Sequence, residues 1–359
     1  MEKTIILTAG GTGGHLFPAQ ALATELVERG WTVHLATDDR AERFTASFPA
    51  KEIHIIPSAT LSSKNPLKLI GAAFTLLMGY LKSRSLVSRL KPKVVVGFGG
   101  YPTIPPMLAA RHKGVPTVLH EANAVLGRAN RFLAKSVKKI AMGVKSAASG
   151  LSAHIHTGNP VRDAIHDAAE RDYEAHQADG AFRLLVFGGS QGAQFFSSAL
   201  PDAIGKLSES DRARLEVVQQ ARPEDEASLK SAYEALGVSQ TVATFFSDMH
   251  EHLASAHFVI ARAGASTVSE LAIVGRPSLL VPYPFALDHD QAANAEHLAT
   301  SGGAVLSKQA DLSAEKLAEI LKNALDDPAK LALAAESAKK AGVPDASKRL
   351  ADLVETASL

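Results

Sequence analysis

The chain opens with Ile5-Ile6-Leu7-Thr8-Ala9-Gly10-Gly11-Thr12-Gly13-Gly14-His15, where an apolar run is followed by four glycines in five residues. The second half opens in the same way, with Leu184-Leu185-Val186-Phe187-Gly188-Gly189-Ser190-Gln191-Gly192-Ala193. Each stretch predicts a buried strand, then a glycine-rich turn, then the start of a helix. The simplest explanation of this internal repeat is a pair of doubly wound α/β domains.

Short apolar runs alternate with longer amphipathic ones along the whole chain. Strands are predicted at 4–8, 32–36, 53–56, 93–97, 116–119, 139–142, 183–187, 215–218, 241–244, 257–260 and 278–281. Helices are predicted between most of them, including 18–29, 103–112, 193–205, 266–274 and 313–325. Strands separated by helices imply parallel sheets with right-handed crossovers.

The length of 359 residues suits two domains rather than one core. We place the first domain at 1–162 and the second at 163–342, with the hinge near 157–160. A C-terminal segment, 343–359, remains. Two such domains facing each other would form a cleft between the C-terminal ends of their strands, where ligands of open α/β sheets bind.

Composition excludes several classes of protein. The net charge of +1 gives no general attraction to nucleic acid, so we expect no nucleic-acid partner. The absence of cysteine excludes disulfides, thiolate nucleophiles and Cys-ligated metal sites. The first residues show no signal-peptide pattern, and no apolar run reaches the 18–20 or so residues that span a bilayer. We therefore expect a cytoplasmic protein.

The first glycine-rich turn predicts a ligand site, because bare N–H groups at a helix N-terminus favour phosphate or a polar sugar. A tight turn without a ligand is the alternative. The stretch is not a full dinucleotide fingerprint, since the third glycine position is Leu16. Asp38 nevertheless stands where a ribose-binding acid would be, so a dehydrogenase stays open. His15 is expected near the cleft.

The second glycine-rich turn, Gly188 to Gly192, fits the G-x-S-x-G pattern of a hydrolase nucleophile elbow. It also fits a second phosphate cradle, in which Ser190 offers hydroxyl and N–H donors. The repeat of strand, turn and helix favours the cradle.

A third motif, Arg262-Ala263-Gly264-Ala265-Ser266-Thr267-Val268-Ser269-Glu270, follows a predicted strand. We expect Ser266 or Thr267 to cap the next helix. Glu270 is then expected in its first turn, where it could accept hydrogen bonds from a ribose diol. Alternatively, Glu270 binds no ligand, and its negative charge only stabilises the N-terminal end of the helix through the helix dipole.

Two further patterns have competing interpretations. The apolar run 67–81 has flanking lysines and arginines, which suits either an anionic membrane surface or a buried core helix. Asp288-His289-Asp290 has the D-x-D pattern, but it has no further ligand cluster around it. We interpret these residues as ordinary polar residues of a loop, and we predict no metal site and no cofactor.

Taken together, these motifs resemble the bacterial MurG glycosyltransferases of peptidoglycan synthesis, and the resemblance runs nearly end to end. The matching segments are Gly10–His15 with Phe17-Pro18, Gly99-Gly100-Tyr101-Pro102, His120-Glu121-Ala122-Asn123-Ala124, Gly158-Asn159-Pro160-Val161-Arg162, Gly188–Ala193, Arg262–Glu270, and Asp288 through Gln291 to Asn294. The resemblance implies the two-domain GT-B fold, with helix 345–357 crossing back to the first domain.

It also implies an activity, the inverting transfer of N-acetylglucosamine (GlcNAc) from UDP-GlcNAc to the 4-hydroxyl of MurNAc in lipid I. The product would be lipid II. The partners would be these two substrates and the cytoplasmic face of the membrane, which 67–81 would touch.

The resemblance assigns site residues in both domains. In the first domain, Thr12, Gly13 and Gly14 would face the cleft, and the glycine loops would take the acceptor pyrophosphate. His15 is the candidate base. The UDP-sugar would be held by Asn123, Arg162, Ser190, the backbone of Phe246, Ala265, Ser266, Thr267, Val268, Ser269, Glu270 and Gln291.

Four positions depart from the family pattern: Ala122, Ala263, Ser266 and Asp290. The changes at 266 and 290 touch the predicted sugar pocket. Three alternatives to the transferase remain at this level: a UDP-GlcNAc 2-epimerase of the same fold, an NAD-dependent dehydrogenase, and a membrane-bound nucleotide-sugar sensor without activity.

Overall fold

The computed structural model describes residues 3–41, 47–60, 65–145, 154–189, 194–286 and 290–359. These residues form two compact units. Unit 1 comprises Met1–Arg162 and Val343–Leu359, and unit 2 comprises Asp163–Gly342.

All strand pairings within the described residues are parallel. The strands are β1 Thr4–Thr8, β2 Thr32–Thr37, β3 Glu52–Ile55, β4 Val94–Gly97, β5 Thr117–Glu121, β6 Lys139–Met142, β7 His154–His156, β8 Phe182–Phe187, β9 Leu215–Gln220, β10 Ser239–Ala243, β11 Phe258–Ala261, β12 Ser278–Leu280 and β13 Ala304–Leu306.

The helices separate the strands as predicted. They are α1 Gly13–Glu28, α2 Pro66–Leu90, α3 Ile104–His112, α4 Arg128–Leu133, α5 Asp163–Ala169, α6 Gln194–Ile204, α7 Glu209–Ala213, α8 Glu226–Ala235, α9 Met249–Ser255, α10 Ala265–Val274, α11 Asp290–Thr300, α12 Ala314–Asp326, α13 Pro328–Ala341 and α14 Ala346–Ser358.

The two sheets share one topology. Unit 1 has the order β3-β2-β1-β4-β5-β6-β7, and unit 2 has β10-β9-β8-β11-β12-β13. In both, the order reverses beside the first strand of the unit, between β1 and β4 and between β8 and β11. Ligands of doubly wound sheets bind at this switch point. The predicted Rossmann-like architecture is confirmed.

The sheet of unit 1 is covered on both faces by apolar side chains. One face packs Ile5 and Leu35 against α1 and α14, whose Leu350 and Val354 are buried. The other face packs Ile6 and neighbouring strand residues against α2 and α3. A single large core surrounds the sheet of unit 2.

The prediction missed two strands, β7 and β13. Each has three residues, lies at the edge of its sheet, and is mostly exposed or half-buried. Short strands of this kind lack the buried apolar run on which strand prediction depends.

Helix α2 decides between the two interpretations of 67–81. Its apolar side chains at 67, 70, 74, 77, 78 and 81 lie in the solvent, with Leu67 76% and Phe74 63% exposed. Burial begins only toward the C-terminal half, at Gly79, Ser83, Leu86 and Val87. The core-helix interpretation of 67–81 is therefore wrong. In the part of the chain that the structure describes, no helix is long and apolar enough to cross a membrane.

Candidate active site

The first glycine-rich turn is itself the beginning of a helix. Helix α1 begins at Gly13, with Thr12 as its N-cap, and continues through Pro18. The predicted start at residue 18 is therefore wrong by five residues. Pro18 lies inside the helix, in its second turn, where proline removes one N–H donor. Gly13, Gly14 and His15 are the first three helical residues. The N–H groups of Gly13 and Gly14 lie where a helix has no internal acceptor, whereas the His15 N–H donates to the Thr12 carbonyl at 3.1 Å.

Two further glycines, Gly99 and Gly100 in the loop after β4, pack directly against this turn. The Gly10 N–H donates to the Gly99 carbonyl at 3.0 Å. A Cβ on Gly100 would lie 3.0 Å from the Gly10 Cα, and both Gly99 and Gly100 have positive φ. Only glycines allow this approach of two backbones. The two loops meet at the switch point between β1 and β4.

His15 is held between these two loops. Its Nδ1 lies 3.0 Å from Thr12 Oγ1, and a Cβ on Gly99 would lie 3.1 Å from its Nε2. The pKa of His15 is lowered to about 4, mainly by burial and also by the Arg40 charge, while Asp38 acts in the opposite direction. The ring is therefore neutral near pH 7 and able to accept a proton.

Asp38 is not placed like a ribose-binding acid. Its side chain is buried, and Arg40 donates to its Oδ2 from Nε at 2.6 Å. Its Oδ1 lies so close to Gly11 that a Cβ there would be 2.3 Å away. This geometry puts the carboxylate beneath the turn and argues against a dinucleotide site.

A buried carboxylate shapes the loop that carries Asn123. Oε1 of Glu121 accepts from the Asn123 N–H and Nδ2, each at 3.0 Å. Its Oε2 accepts from the Gly127 N–H at 2.9 Å and from Asn130 Nδ2 at 2.8 Å. Burial raises the pKa of Glu121, and these donors offset part of that effect.

The same network reaches toward His15. A Cβ on Gly99 would lie 3.1 Å from the His15 ring and 3.3 Å from Asn130 Nδ2. Glu121, Asn130 and Gly99 thus connect Asn123 with the glycine loops. The sequence prediction assigned no role to Glu121 or Asn130, since nothing in the spacing indicates that residue 130 returns to residue 121.

We predict that Glu121→Gln destabilises unit 1 by about 2 kcal/mol and lowers turnover through Asn123. An amide has one oxygen, so its NH₂ would face two N–H donors whichever way it turned, and hydrogen bonds to a charged group contribute about 1.5–3 kcal/mol each. Urea unfolding and steady-state kinetics would test this. The control is Glu28→Gln, which changes an exposed carboxylate of α1. Unaltered kinetics in Glu121→Gln would contradict the prediction.

Arg162, the last residue of the first segment of unit 1, lies next to the first turns of α1. Its guanidinium carbon is 4.2 Å from the centroid of the Phe17 ring, a cation–π distance. The Phe17 ring in turn lies against Gly13, where a Cβ would be 2.9 Å from it. The structure thus places Arg162 beside the glycine-rich turn.

In unit 2 the equivalent switch point carries the start of α10. The N-cap is Gly264, with φ −63° and ψ 149°, and the helix begins at Ala265. The predicted cap at Ser266 or Thr267 is therefore wrong, and Glu270 lies in the second turn rather than the first. Gly264 has no side chain that could cap the N–H groups of Ala265, Ser266 and Thr267, which lie where a helix start can bind a ligand.

Ser266 contributes a further polar atom at this helix start. Its Oγ is buried, and within the described residues it has no hydrogen-bond partner. A buried hydroxyl without a partner costs free energy unless a ligand or water satisfies it. Val268 is buried, and Ser269 and Glu270 are half-buried on the same helix.

Arg262 fixes the loops beneath this helix start. Its guanidinium donates to the carbonyl oxygens of Val281 at 3.1 Å and Pro282 at 3.2 Å, and to Gln309 Oε1 at 2.6 Å. Burial lowers the pKa of Arg262 to about 10, so it stays charged near neutral pH. No role was predicted for this residue, whose partners are distant in sequence.

Helix α11 ties the loop after β12 to the loop after β11. Gln291 Oε1 accepts from the Tyr283 N–H at 2.9 Å, and Asn294 Nδ2 donates to the Ala263 carbonyl at 3.2 Å. The Gln291 oxygen is thereby occupied, which leaves its NH₂ group as the end able to donate to a ligand.

The remaining predicted residues are placed less centrally or lie outside the description. Phe246 follows β10 at the edge of the second sheet, and its ring packs on His252 with centroids 5.0 Å apart. Ser190, Asp288 and His289 lie outside the described residues. Asp290 begins α11, where its Oδ1 accepts from the Gln291 N–H at 2.8 Å.

The two parallel sheets and their switch points form the GT-B architecture. The sequence model of the glycosyltransferase family 28 N-terminal domain matches residues 5–142, and that of the family 28 C-terminal domain matches 183–350. The chain is 58% identical over 356 residues to a UDP-N-acetylglucosamine–N-acetylmuramyl-(pentapeptide) pyrophosphoryl-undecaprenol N-acetylglucosamine transferase of Brucella abortus (strain S19). That alignment covers 99% of this chain and 94% of the relative, and a Brucella canis relative matches equally well.

Solved structures agree with this assignment. The crystal structure of Acinetobacter baumannii MurG matches with a TM-score of 0.80 and 27% identity, covering 99% of this chain and 100% of the other. A UDP-GlcNAc 2-epimerase from Neisseria meningitidis has a TM-score of 0.70 at 13% identity, covering 98% and 100%, which shows a shared fold alone. The chain belongs to the MurG family of glycosyltransferases, as its motifs predicted.

Proposed function

We propose that this chain transfers GlcNAc from UDP-GlcNAc to the 4-hydroxyl of MurNAc in lipid I, which makes lipid II for peptidoglycan. The observation that carries the proposal is 58% identity over 99% of the chain to curated transferases named for this reaction. Family 28 matches in both halves of the chain support it further, because the reaction needs both a donor site and an acceptor site.

The donor is assigned to unit 2, at the start of α10. Uncovered N–H groups and the helix dipole there favour the diphosphate. The Ser266 Oγ, which has no partner within the described residues, would bond a sugar hydroxyl, and the Gln291 NH₂ would bond another. Ala265, Thr267, Val268 and Ser269 belong to the same helix start and complete the sugar pocket.

Three donor contacts rest mainly on the family resemblance. The Glu270 carboxylate would accept two hydrogen bonds from the ribose diol, and the backbone of Phe246 would bond uracil. Ser190 would bond the diphosphate. With Arg162, these groups would neutralise the charge on departing UDP without a metal ion.

The acceptor is assigned to unit 1, at the glycine loops around His15. The 4-hydroxyl oxygen attacks the anomeric carbon, the bond from that carbon to the UDP oxygen breaks, and His15 takes the hydroxyl proton. Attack opposite the leaving group converts the α-linked donor into a β-1,4 product. Nδ1–H would donate to Thr12 Oγ1, so that the bare Nε2 serves as base. Asn123, from the loop held by Glu121, would orient the GlcNAc.

Purified full-length protein should be mixed with radiolabelled UDP-GlcNAc and a short-chain lipid I analogue, with and without EDTA. We expect label in the lipid fraction in both samples. Conversion of the labelled donor alone into UDP-ManNAc would favour the epimerase, and donor binding without turnover would favour the sensor. Loss of transfer in EDTA with recovery in magnesium would contradict the metal-free mechanism.

We further propose that α2 binds the cytoplasmic face of the membrane. Its exposed apolar side chains recur at helical spacing and so form one stripe, and Lys68, Lys82 and Arg84 are exposed beside it. A helix of this kind lies in the interface of an anionic bilayer.

Exchanging Ile70 and Phe74 together for serine should weaken binding to anionic vesicles at least about 10-fold, because burying each side chain contributes about 1.5–3 kcal/mol. Vesicle co-sedimentation measures the effect, and turnover on a water-soluble acceptor should be unchanged. Leu333→Ser is the matched control, since Leu333 is an exposed apolar residue of a different helix. Equal vesicle binding by the double variant and the parent would count against the proposal.

A further inference from the structure

Two buried histidines lie side by side on neighbouring strands of unit 1, away from the glycine loops. His34 is on β2 and His54 on the edge strand β3, where the register pairs His34 with Glu52 and Ala36 with His54. The two histidines are 4% and 8% exposed. Their rings are stacked, with centroids 5.3 Å apart and an angle of 20° between planes.

The polar atoms of this cluster converge. His34 Nδ1 lies 3.1 Å from His54 Nε2, and the other ring nitrogen of His54 lies 3.6 Å from Glu52 Oε1. One ligand atom from each of the three residues falls within 4.8 Å of the other two. Within the described part of the chain, this is the one group of three or more potential metal ligands that meets that distance limit.

We propose that His34, His54 and Glu52 form a binding site for a divalent first-row transition ion, with Zn²⁺ as the expected occupant. Zinc–nitrogen bonds of about 2.0–2.1 Å at a tetrahedral angle put two ligand nitrogens about 3.3 Å apart. The observed 3.1 Å is within a few tenths of an ångström of that separation. The separation of the two nitrogens thus suits a shared ion, as it also suits the N–H···N hydrogen bond that they form without one.

Glu52 makes the metal-binding tautomer favourable. If the proton of His54 is on Nδ1, it points toward the Glu52 carboxylate, and Nε2 presents a bare lone pair to His34. Carboxylates hold metal-bound imidazoles in this way in many proteins. Glu52 is half exposed, so it can instead swing to become the third ligand. In either arrangement a cation bound by His34 Nδ1 and His54 Nε2 displaces the proton that lies between them, which moves to His34 Nε2 or to the solvent.

The neighbouring charges oppose a cation at this site. Lys82 and Arg89, both on α2, act electrostatically on His54 and would repel a bound ion. Arg89 already pairs with Glu52 at 4.0 Å.

The test uses untagged full-length protein, freed of metal with a chelator and titrated with Co²⁺ and then Zn²⁺. Co²⁺ is followed by the intense visible absorption of a four-coordinate ion, and Zn²⁺ by competition with a chromophoric chelator and by the shift in Tm. The variants are His34→Gln, His54→Gln and Glu52→Gln. The control is His112→Gln, which removes an exposed histidine on α3.

We expect one ion per chain and a rise in Tm with Zn²⁺, both lost in His34→Gln and His54→Gln and retained in His112→Gln. Glu52→Gln should lower affinity about 10–100-fold, the usual effect of losing a carboxylate behind a ligand histidine. No Tm rise in the parent, or stoichiometric binding that survives His54→Gln, would overturn the site. Should the histidine variants fold poorly, an unchanged affinity in Glu52→Gln would overturn it as well.

Discussion

His15→Ala and His15→Gln should lower kcat by about 100-fold or more, with much smaller changes in KM for UDP-GlcNAc. A positioned general base contributes about 10²–10⁴-fold to rate. The side chain that would take the acceptor proton lies in unit 1, whereas the donor contacts proposed above lie mainly in unit 2. Donor affinity should therefore be nearly unchanged. Steady-state kinetics with the short-chain lipid I analogue measures the effect, and His112→Ala is the control.

The pH profile separates a base from a structural role. The lowered pKa of His15, about 4, keeps the ring deprotonated down to acid pH. A base works when it is deprotonated. We therefore expect kcat/KM to stay constant from neutral pH down to pH 6 and to fall only as the pH approaches 4. Arg40 lowers that pKa, so Arg40→Gln should move the acid limb to higher pH. Turnover of His15→Ala within a few-fold of the parent would remove His15 from the role of base.

Arg276→Met should lower the free energy of unfolding of unit 2 by about 3–5 kcal/mol, because removing a buried charge leaves its partners unsatisfied. Arg276 is 1% exposed. Its guanidinium donates to five backbone carbonyl oxygens, those of Leu253, Ala254, Val274, Gly275 and Arg171. Four of them close the C-terminal ends of α9 and α10, where a cation also favours the helix dipoles.

Two spectroscopic probes localise this effect. The single tryptophan, Trp31, is buried in unit 1, so its fluorescence follows that unit, whereas far-UV circular dichroism follows both. During urea unfolding, the part of the circular-dichroism transition that comes from unit 2 should move to a lower urea concentration. The tryptophan fluorescence transition should shift less. Arg171→Met is the control, since its side chain makes an exposed ion pair with Glu251 at 2.6 Å, and such pairs contribute about 0–1 kcal/mol. Equal destabilisation by both variants would refute the account.

Much of the fold could be predicted because its strands are buried on both sides. A run such as Val94-Val95-Val96 has one stable environment, the middle of a covered parallel sheet, and β4 occupies it. The edge strands β7 and β13 have no such requirement and were missed. Helix starts were misplaced where glycine stands at the N-terminus, as at Gly13 and Gly264, because the N–H groups there need no side-chain cap when a ligand can satisfy them.

The candidate site could be predicted in outline and not in its contacts. Glycine turns after strands indicated where ligands bind, because that chemistry is local. The contacts of Arg262 join residues distant in sequence. The four hydrogen bonds of Glu121 come from nearby residues, but they depend on how the loop of residues 123–130 folds back, which no local pattern contains. The exposure of Phe74 could not be predicted either, since a helical stripe has the same spacing whether solvent, lipid or a core covers it.

The division of unit 1 into two chain segments has a consequence for its biosynthesis. Helix α14, whose Leu350 and Val354 complete the core beside β1, belongs to the last 17 residues, Val343–Leu359. Translation at about 5–20 residues per second interposes the 180 residues of Asp163–Gly342, about 9–36 s, before that helix emerges. The unit begun first is therefore finished last, and until then the nascent chain exposes an apolar surface to chaperones. Nonsense mutations near residue 343 would leave the second unit whole while depriving the first of its final helix.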